Sequence, residues 1–332
     1  MRAAVLHRPR SATEDPLVID EVATPRAGDA EVVIDVHACG VCRTDLQICE
    51  GDLAAKHLPI IPGHQVVGTI AAVGKSVTDF QLGDRVGVAW IAGACGHCRF
   101  CATDRENLCV DATFTGWDVD GGYAQSMRAR HDFVYRLPDG YDDVAVAPLL
   151  CGGVIGYRCL RVAGVTPGMR LGLYGFGASA TIVIQVATYL GCEVYVVTRS
   201  AAERERALAL GAQWAGTYET SPPVTLDVAI TFAPSGDVVV AALAAVDRGG
   251  LVVVNAIHLD RIPEFDYALL WWERSLRSVA NVTRADVDEL LALAPKIPIV
   301  TQTDRYPLTR ANDALRDLAR GRVRGAAVLE MP

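Results

Sequence analysis

The sequence predicts an α/β protein in two parts. One is a mostly-β body drawn from residues 1–153 together with 283–332, and the other is a doubly wound parallel sheet over residues 154–282. Three observations carry this. The chain has 332 residues and is 51% hydrophobic, too long for one ordinary core. Short β-branched runs broken by Gly, Pro and Asp fill the first 150 residues. Apolar strand-like runs then alternate with helical stretches until about Val282, after which short mixed elements return and are expected to rejoin the first body.

In order, Glu31–Val36 and Gln65–Ile70 read as strands, with turn signals at Ala27-Gly28-Asp29, Pro62-Gly63 and Leu82-Gly83-Asp84. Leu171–Tyr174 is a short apolar strand, Ser179–Leu190 a helix, Glu193–Val197 a strand and Ala201–Leu210 a second helix. Strands follow at Asp227–Ile230 and Gly250–Asn255. Leu171 to Cys192 carries no charge for 22 residues, near the length of a membrane span. Its glycines at 172, 175 and 177 favour a strand, a turn and a buried helix instead.

Composition excludes some partners. Net charge is −8 with no basic stripe, so nucleic acid is not expected. No membrane partner is expected either, and the opening residues lack the apolar core of a secretory signal. The ten cysteines therefore suggest a reducing compartment, the cytoplasm, where clustered thiols point to metal rather than disulfides.

Cys95, Cys98, Cys101 and Cys109 form a C-x2-C-x2-C-x7-C run. Four thiolates at such spacing make a closed tetrahedral zinc shell, with no position left for substrate, so the site is structural. An iron–sulfur cluster is the competing reading. His97, between two ligands, is expected to be exposed. Gly175-Phe-Gly177-Ala178-Ser179-Ala180 matches G-x-G-x-x-[G/A] after a strand and before a helix, the context of a Rossmann dinucleotide fingerprint. Gly175 suits the tight turn, Gly177 the close approach of a pyrophosphate, and Ala180 the packing of helix on strand, while the N–H groups of Ala178 and Ser179 face the phosphates. The second strand ends in Thr198-Arg199-Ser200 rather than an acid, which favours NADP(H) over NAD(H).

Three further segments matter: Gly40-Val-Cys42-Arg43-Thr44-Asp45, Pro62-Gly-His64-Gln65 and Pro148-Leu-Leu-Cys151-Gly-Gly. With the four-cysteine run and the fingerprint, in this order, the whole chain resembles the medium-chain zinc alcohol dehydrogenase family. The likeness is to its microbial and yeast-type members, down to Trp90 ahead of the cysteine run. The resemblance implies a GroES-like mostly-β catalytic domain beside the Rossmann domain, two zinc ions per chain, and a homodimer or homotetramer. It also implies that Cys42, His64 and Cys151 bind a catalytic zinc whose open position takes the alcohol oxygen. Asp45 then orients His64, Thr44 hydrogen-bonds the reacting oxygen and carries its proton, and Arg43 and Arg284 approach the cofactor. The implied reaction moves a hydride between a primary or aromatic alcohol, or its aldehyde, and a nicotinamide. Leu53, Trp90 and Trp117 are candidates for an apolar pocket wall. Cys39 with Cys42 spells C-x-x-C, but the resemblance claims Cys42 for zinc, which argues against a redox pair; Cys49, Cys159 and Cys192 read as small apolar fillers.

Two positions depart from the family pattern. Gln65 follows the zinc histidine where many relatives carry Glu, and Gln47 stands where many end a proton relay with His. Glutamine does not titrate, so the relay would pass through water or the ribose hydroxyl. These departures keep reduction of an activated C=C or C=N bond as the alternative activity, with a non-catalytic cofactor sensor behind it. The retained Thr44 and complete ligand set argue against both.

Overall fold

The computed structural model describes residues 1–257 and 259–332. The chain divides into two compact units: Met1–Cys151 with Asn281–Pro295 and Val300–Pro332, and Gly152–Ala280 with Lys296–Ile299. The two-part α/β class expected from the sequence is what the chain adopts.

The first unit is organised by the long strand Glu31–Val41. Its antiparallel partners are Gln65–Val73, Ser126–Arg130 and the C-terminal Ala326–Glu330, which reaches it through Ala327↔Val41 to Glu330↔Ala38. Arg85–Val88 and Val134–Arg136 extend the sheet on one side, and Thr303–Pro307 closes the other. Along Glu31–Val41, Ile34 and Val36 are buried while Asp35 and His37 are exposed, the alternation of a strand with one covered face. Ile34, Val36, Val66, Ile70, Val86 and Leu329 share one core. The Ala311–Ala319 helix buries Ala311, Ala314 and Leu315 in that core, at helical i, i+3, i+4 spacing.

The second unit is a six-stranded parallel sheet in the order Trp214–Gly216, Glu193–Val197, Arg170–Tyr174, Leu226–Thr231, Val246–Val254, Ser275–Ser278. This 3-2-1-4-5-6 order is the doubly wound dinucleotide-binding arrangement. The uncharged stretch from Leu171 resolves into a strand, a turn at Gly175 (φ 91°) and the helix Ala178–Tyr189, whose Ile182, Val183, Ile184 and Val186 are buried. Among the described residues no single helix is long and apolar enough to cross a membrane.

Several elements escaped the sequence reading, three of them instructive. The strands Trp214–Gly216 and Ser275–Ser278 are short edge strands without clean alternation. The Gly236–Ala245 helix is apolar nearly all round, packing Val239 and Leu243 on Leu226 and Val252, so it shows no amphipathic period. The strand before Asn255 begins at Val246 rather than Gly250, because Val246 pairs with Leu226 ahead of an irregularity that takes up the polar Asp247-Arg248-Gly249-Gly250.

Candidate active site

Strand register brings the first two candidate ligands together. Gly40 pairs with Gln65 across the sheet, so Cys42, two residues beyond, and His64, one before, emerge at the same end. Cys42 is the N-cap of the Arg43–Glu50 helix, and Gly63 (φ 98°) makes the turn that delivers His64. A side chain at Gly63 would collide with the buried Tyr123 ring, at 2.3 Å from a Cβ, so this turn requires glycine. Cys151 follows a tight turn over Ala147–Leu150, itself buried under the same sheet.

The ligand atoms converge. His64 Nε2 lies 3.3 Å from Cys42 Sγ and 3.3 Å from Cys151 Sγ. The three atoms lie within 4.8 Å of one another. Zinc–sulfur bonds of ~2.3 Å and zinc–nitrogen bonds of ~2.0 Å span such separations, and two thiolates with one imidazole are a zinc donor set that leaves one position open. Asp45, wholly buried, accepts from His64 Nδ1 at 3.1 Å with one oxygen and from the Cys42 N–H at 2.8 Å with the other. One carboxylate thus caps the helix and fixes the tautomer that leaves Nε2 facing the sulfurs.

Electrostatics fit a site made for a cation. Burial alone would lower the His64 pKa, but the charges of Asp45 and Cys42 outweigh it and hold the ring up at about 10. The hydrogen bond that its thiol donates to Cys151, then burial, push the Cys42 thiol well above its ordinary value. Without a metal the cluster therefore keeps its protons, and a divalent ion would have to displace them.

Around this centre, Thr44 is half-buried with its N–H 3.4 Å from Cys42 Sγ, and Arg43 is exposed at the first helical position. Trp90 meets the His64 ring edge-on at 4.6 Å, and stacks on Phe114 (5.3 Å) and Trp117 (6.0 Å). Trp117 is anchored through its indole N–H to the Ala54 carbonyl, and Leu53 is half-buried against the same core. The Gln65 side chain is buried over Gly40, where an added Cβ would come within 2.7 Å of its amide. Gln47 is buried on the Arg43–Glu50 helix, and its Oε1 has no hydrogen-bond partner. An orphaned buried acceptor on the helix that Cys42 caps marks a place for a donor from a ligand or solvent.

The four-cysteine run closes on itself. Cys109 Sγ lies 3.5 Å from Cys95, and Cys101 Sγ lies 3.6 Å from Cys98 and 3.9 Å from Cys95. The Cys98 and Cys95 amides point at the sulfurs of Cys95 and Cys109, both at 3.4 Å. N–H groups led by that of Cys101 pull Cys98 down to about 6, while burial pushes Cys101 up to about 12, so thiolate character concentrates on Cys98. His97 is exposed and bonds the Cys95 carbonyl. Among the described residues these seven side chains form the two groups of three or more that converge like metal ligands.

In the second unit, Gly177 precedes the Ala178–Tyr189 helix, whose N-terminus has no side-chain cap, and Ala180 is fully buried against the sheet. A Cβ on Gly177 would meet no protein atom within 4 Å, so the space before the uncapped Ala178 and Ser179 N–H groups is clear, as a phosphate requires. At the next strand end the side chains differ from expectation. Thr198 is buried and donates its hydroxyl to Glu203, and the Ser200 hydroxyl caps the Ala201–Ala209 helix. Only Arg199 of the three stands exposed without such a commitment. Arg284 is likewise engaged: its N–H (2.7 Å) and Nε (3.3 Å) both reach the buried Glu106 carboxylate, at the root of the cysteine lobe. Glu106 and Glu203 had no part in the sequence reading. The one signal was Ser200-x-x-Glu203, which spells an ordinary helix cap.

Comparison with known proteins places this architecture. Residues 28–139 match the family described as Alcohol dehydrogenase GroES-like domain. The chain is 48% identical over 335 aligned positions to a probable alcohol dehydrogenase, AdhA, of Mycobacterium tuberculosis, covering 99% of this chain and 97% of that protein. The chain belongs to the medium-chain zinc alcohol dehydrogenase family. An alcohol dehydrogenase of Geobacillus stearothermophilus is 36% identical across 100% of this chain and 99% of its own length. Among solved structures, a cinnamyl alcohol dehydrogenase from Sorghum bicolor superposes with a TM-score of 0.90 at 28% identity, covering 99% of this chain and 97% of that one. A thermostable alcohol dehydrogenase from Pyrobaculum aerophilum with cobalt and zinc bound gives 0.90 at 26%, over 99% of each chain. Membership of this zinc-dependent, nicotinamide-using family makes the chain an alcohol dehydrogenase or aldehyde reductase acting on a small-molecule alcohol, rather than a C=C or C=N reductase.

Proposed function

We propose that Cys42, His64 and Cys151 hold a catalytic zinc and that Cys95, Cys98, Cys101 and Cys109 hold a structural one, giving two per chain. The observation that carries the reading is the convergence of two sulfurs and one imidazole nitrogen on a single point, with Asp45 fixing the imidazole from behind. When bound, the zinc supplies Lewis acidity toward an alcohol or carbonyl oxygen, and the nicotinamide supplies the hydride acceptor or donor. The chain's own residues do the rest. Thr44, at the second position of the helix that Cys42 caps, exchanges a proton with the reacting oxygen through its hydroxyl. Gln47 offers an acceptor that carries no titration of its own, so onward proton transfer runs through water or a ribose hydroxyl. Trp90 and Trp117, with Leu53, present an aromatic, apolar wall that suits primary and aromatic alcohols and their aldehydes and excludes water.

The first unit, essentially residues 1–153 with 283–332, is the catalytic body, and the second, 154–282, binds the dinucleotide. Gly175, Gly177, Ala178, Ser179 and Ala180 form the pyrophosphate cradle; Arg43 is an exposed cation available to a cofactor phosphate, whereas Arg284 is engaged by Glu106. Thr198 at the strand end and the exposed Arg199 support NADP(H) over NAD(H), because neither repels a 2′-phosphate. Self-association as a homodimer or homotetramer is supported by the outer edge of Ser275–Ser278, which pairs with no further strand among the described residues, and by the exposed Tyr267, Trp271 and Trp272 near it. Ten cysteines, none of them in a disulfide, suit a reducing, cytoplasmic setting.

The test is oxidation of NADPH and NADH by the purified protein with aliphatic and aromatic aldehydes, before and after chelation. The reading requires aldehyde-dependent oxidation that chelation abolishes and zinc restores. Cofactor binding without turnover of any aldehyde would refute it.

A further inference from the structure

We propose that Glu203 sets how the protein discriminates between a dinucleotide with a free 2′-hydroxyl and one with a 2′-phosphate. The strand Glu193–Val197 ends without an acid of its own, but a carboxylate occupies its end nonetheless. Glu203 Oε2 accepts the Thr198 hydroxyl at 2.5 Å, the length of a charge-assisted O–H···O⁻ bond, and Thr198 is 4% exposed.

Local structure would have sent that carboxylate elsewhere. Ser200-x-x-Glu203 is a capping-box pattern, in which the glutamate reaches back to the N–H of the serine. The forward half is present, since the Ser200 hydroxyl accepts the Glu203 N–H at 3.3 Å. The carboxylate instead turns to Thr198. The turn between them is fastened by Arg204, whose Nη1 donates to the carbonyls of Thr198 (3.0 Å) and Arg199 (2.9 Å). Glu203 is half-buried and Arg199 exposed, and both act electrostatically on Tyr218 in opposite directions, so the two charges share one neighbourhood.

The inference rests on the reading above that the adenosine ribose lies at this strand end. There, Glu203 can accept from a ribose hydroxyl, as a strand-end acid does, and it opposes a 2′-phosphate that Arg199 attracts. The preference is then a balance between the displaced glutamate and the cations of the exposed Arg199 and of Arg204, which is fastened to the same turn. Removing a unit charge a few ångströms from a phosphate near a protein surface changes its binding by about tenfold or more.

The experiment compares kcat/KM for NADPH and NADH, and the Kd of each from quenching of protein fluorescence, in wild type, Glu203→Gln and Arg199→Ala. Glutamine keeps the size of the side chain and an oxygen that can accept the Thr198 hydroxyl, and it removes the charge. The NADPH:NADH ratio is expected to rise about tenfold in Glu203→Gln and to fall in Arg199→Ala. A Glu203→Gln ratio within twofold of wild type, or one moved toward NADH, overturns the role of Glu203. If Arg199→Ala still moves the ratio in that case, the ribose placement stands and only the inference falls. If neither variant moves it, the placement itself is wrong.

Discussion

Replacing Asp45 with asparagine isolates the orientation of His64 from its presence. The carboxylate makes two bonds at zero exposure, accepting from the Cys42 N–H with one oxygen and from His64 Nδ1 with the other. An amide of the same shape has only one acceptor. If its oxygen keeps the Cys42 N–H, its NH₂ faces His64 Nδ1, which must then become the acceptor. The ring proton moves to Nε2, the atom facing both sulfurs, and His64 can no longer ligate. If the amide flips, its NH₂ opposes the Cys42 N–H and the helix loses its cap. Either arrangement leaves a buried mismatch of about 1–3 kcal/mol. Loss of the partner behind a metal-bound histidine typically lowers metal affinity 10–100-fold, which is about 1.4–2.7 kcal/mol. The assay is zinc competition against a graded chelator, followed by metal analysis, with the four-cysteine site as internal reference. Asp45→Asn should lose one zinc at 10–100-fold lower chelator strength than wild type while the second zinc stays. Equal retention of both ions in the variant would show that Asp45 does not orient the ligand, and the tautomer argument would fail.

Three further outcomes follow from the same geometry. Gln47→His should introduce a group titrating near pH 6.5 into the kcat profile, absent in wild type; a wild-type profile already carrying it would show that the relay titrates elsewhere. Loading zinc into metal-free protein at pH 7.5 should release about two or more protons, because Cys42 and His64 are both held protonated until the metal arrives, and calorimetry in buffers of different ionisation enthalpy counts them. The sign is fixed: both groups are raised, so apparent zinc affinity at this centre rises with pH up to about 10 for the His64 contribution, and an affinity independent of pH would contradict it. Cys98→Ser should reduce zinc from two ions to one and lower the melting temperature while leaving the Cys42–His64–Cys151 ligands in place; an unchanged melting curve would mean that the lobe is not metal-stabilised.

Much of this protein was legible before any coordinates. Four cysteines within fifteen positions are a local pattern, and their convergence needs only the chain between them. The fingerprint glycines and the strand and helix around them are likewise local, because φ preference and apolar period act over a few residues. Cys42, His64 and Cys151 are remote in sequence, and resemblance alone suggested that they meet. Tertiary structure decided the matter through the Gly40↔Gln65 register and the turn before Cys151. Side-chain commitments were beyond the sequence altogether. Thr198-Arg199-Ser200 reads as three groups ready for a phosphate, yet folding spends two of them on Glu203 and on a helix cap. Arg284 reads as a free cation, yet its helix start brings it onto Glu106, 178 residues away. Backbone preferences and spacing are written in neighbouring residues. Which polar group satisfies which is settled only when the chain has brought every candidate partner within hydrogen-bond reach.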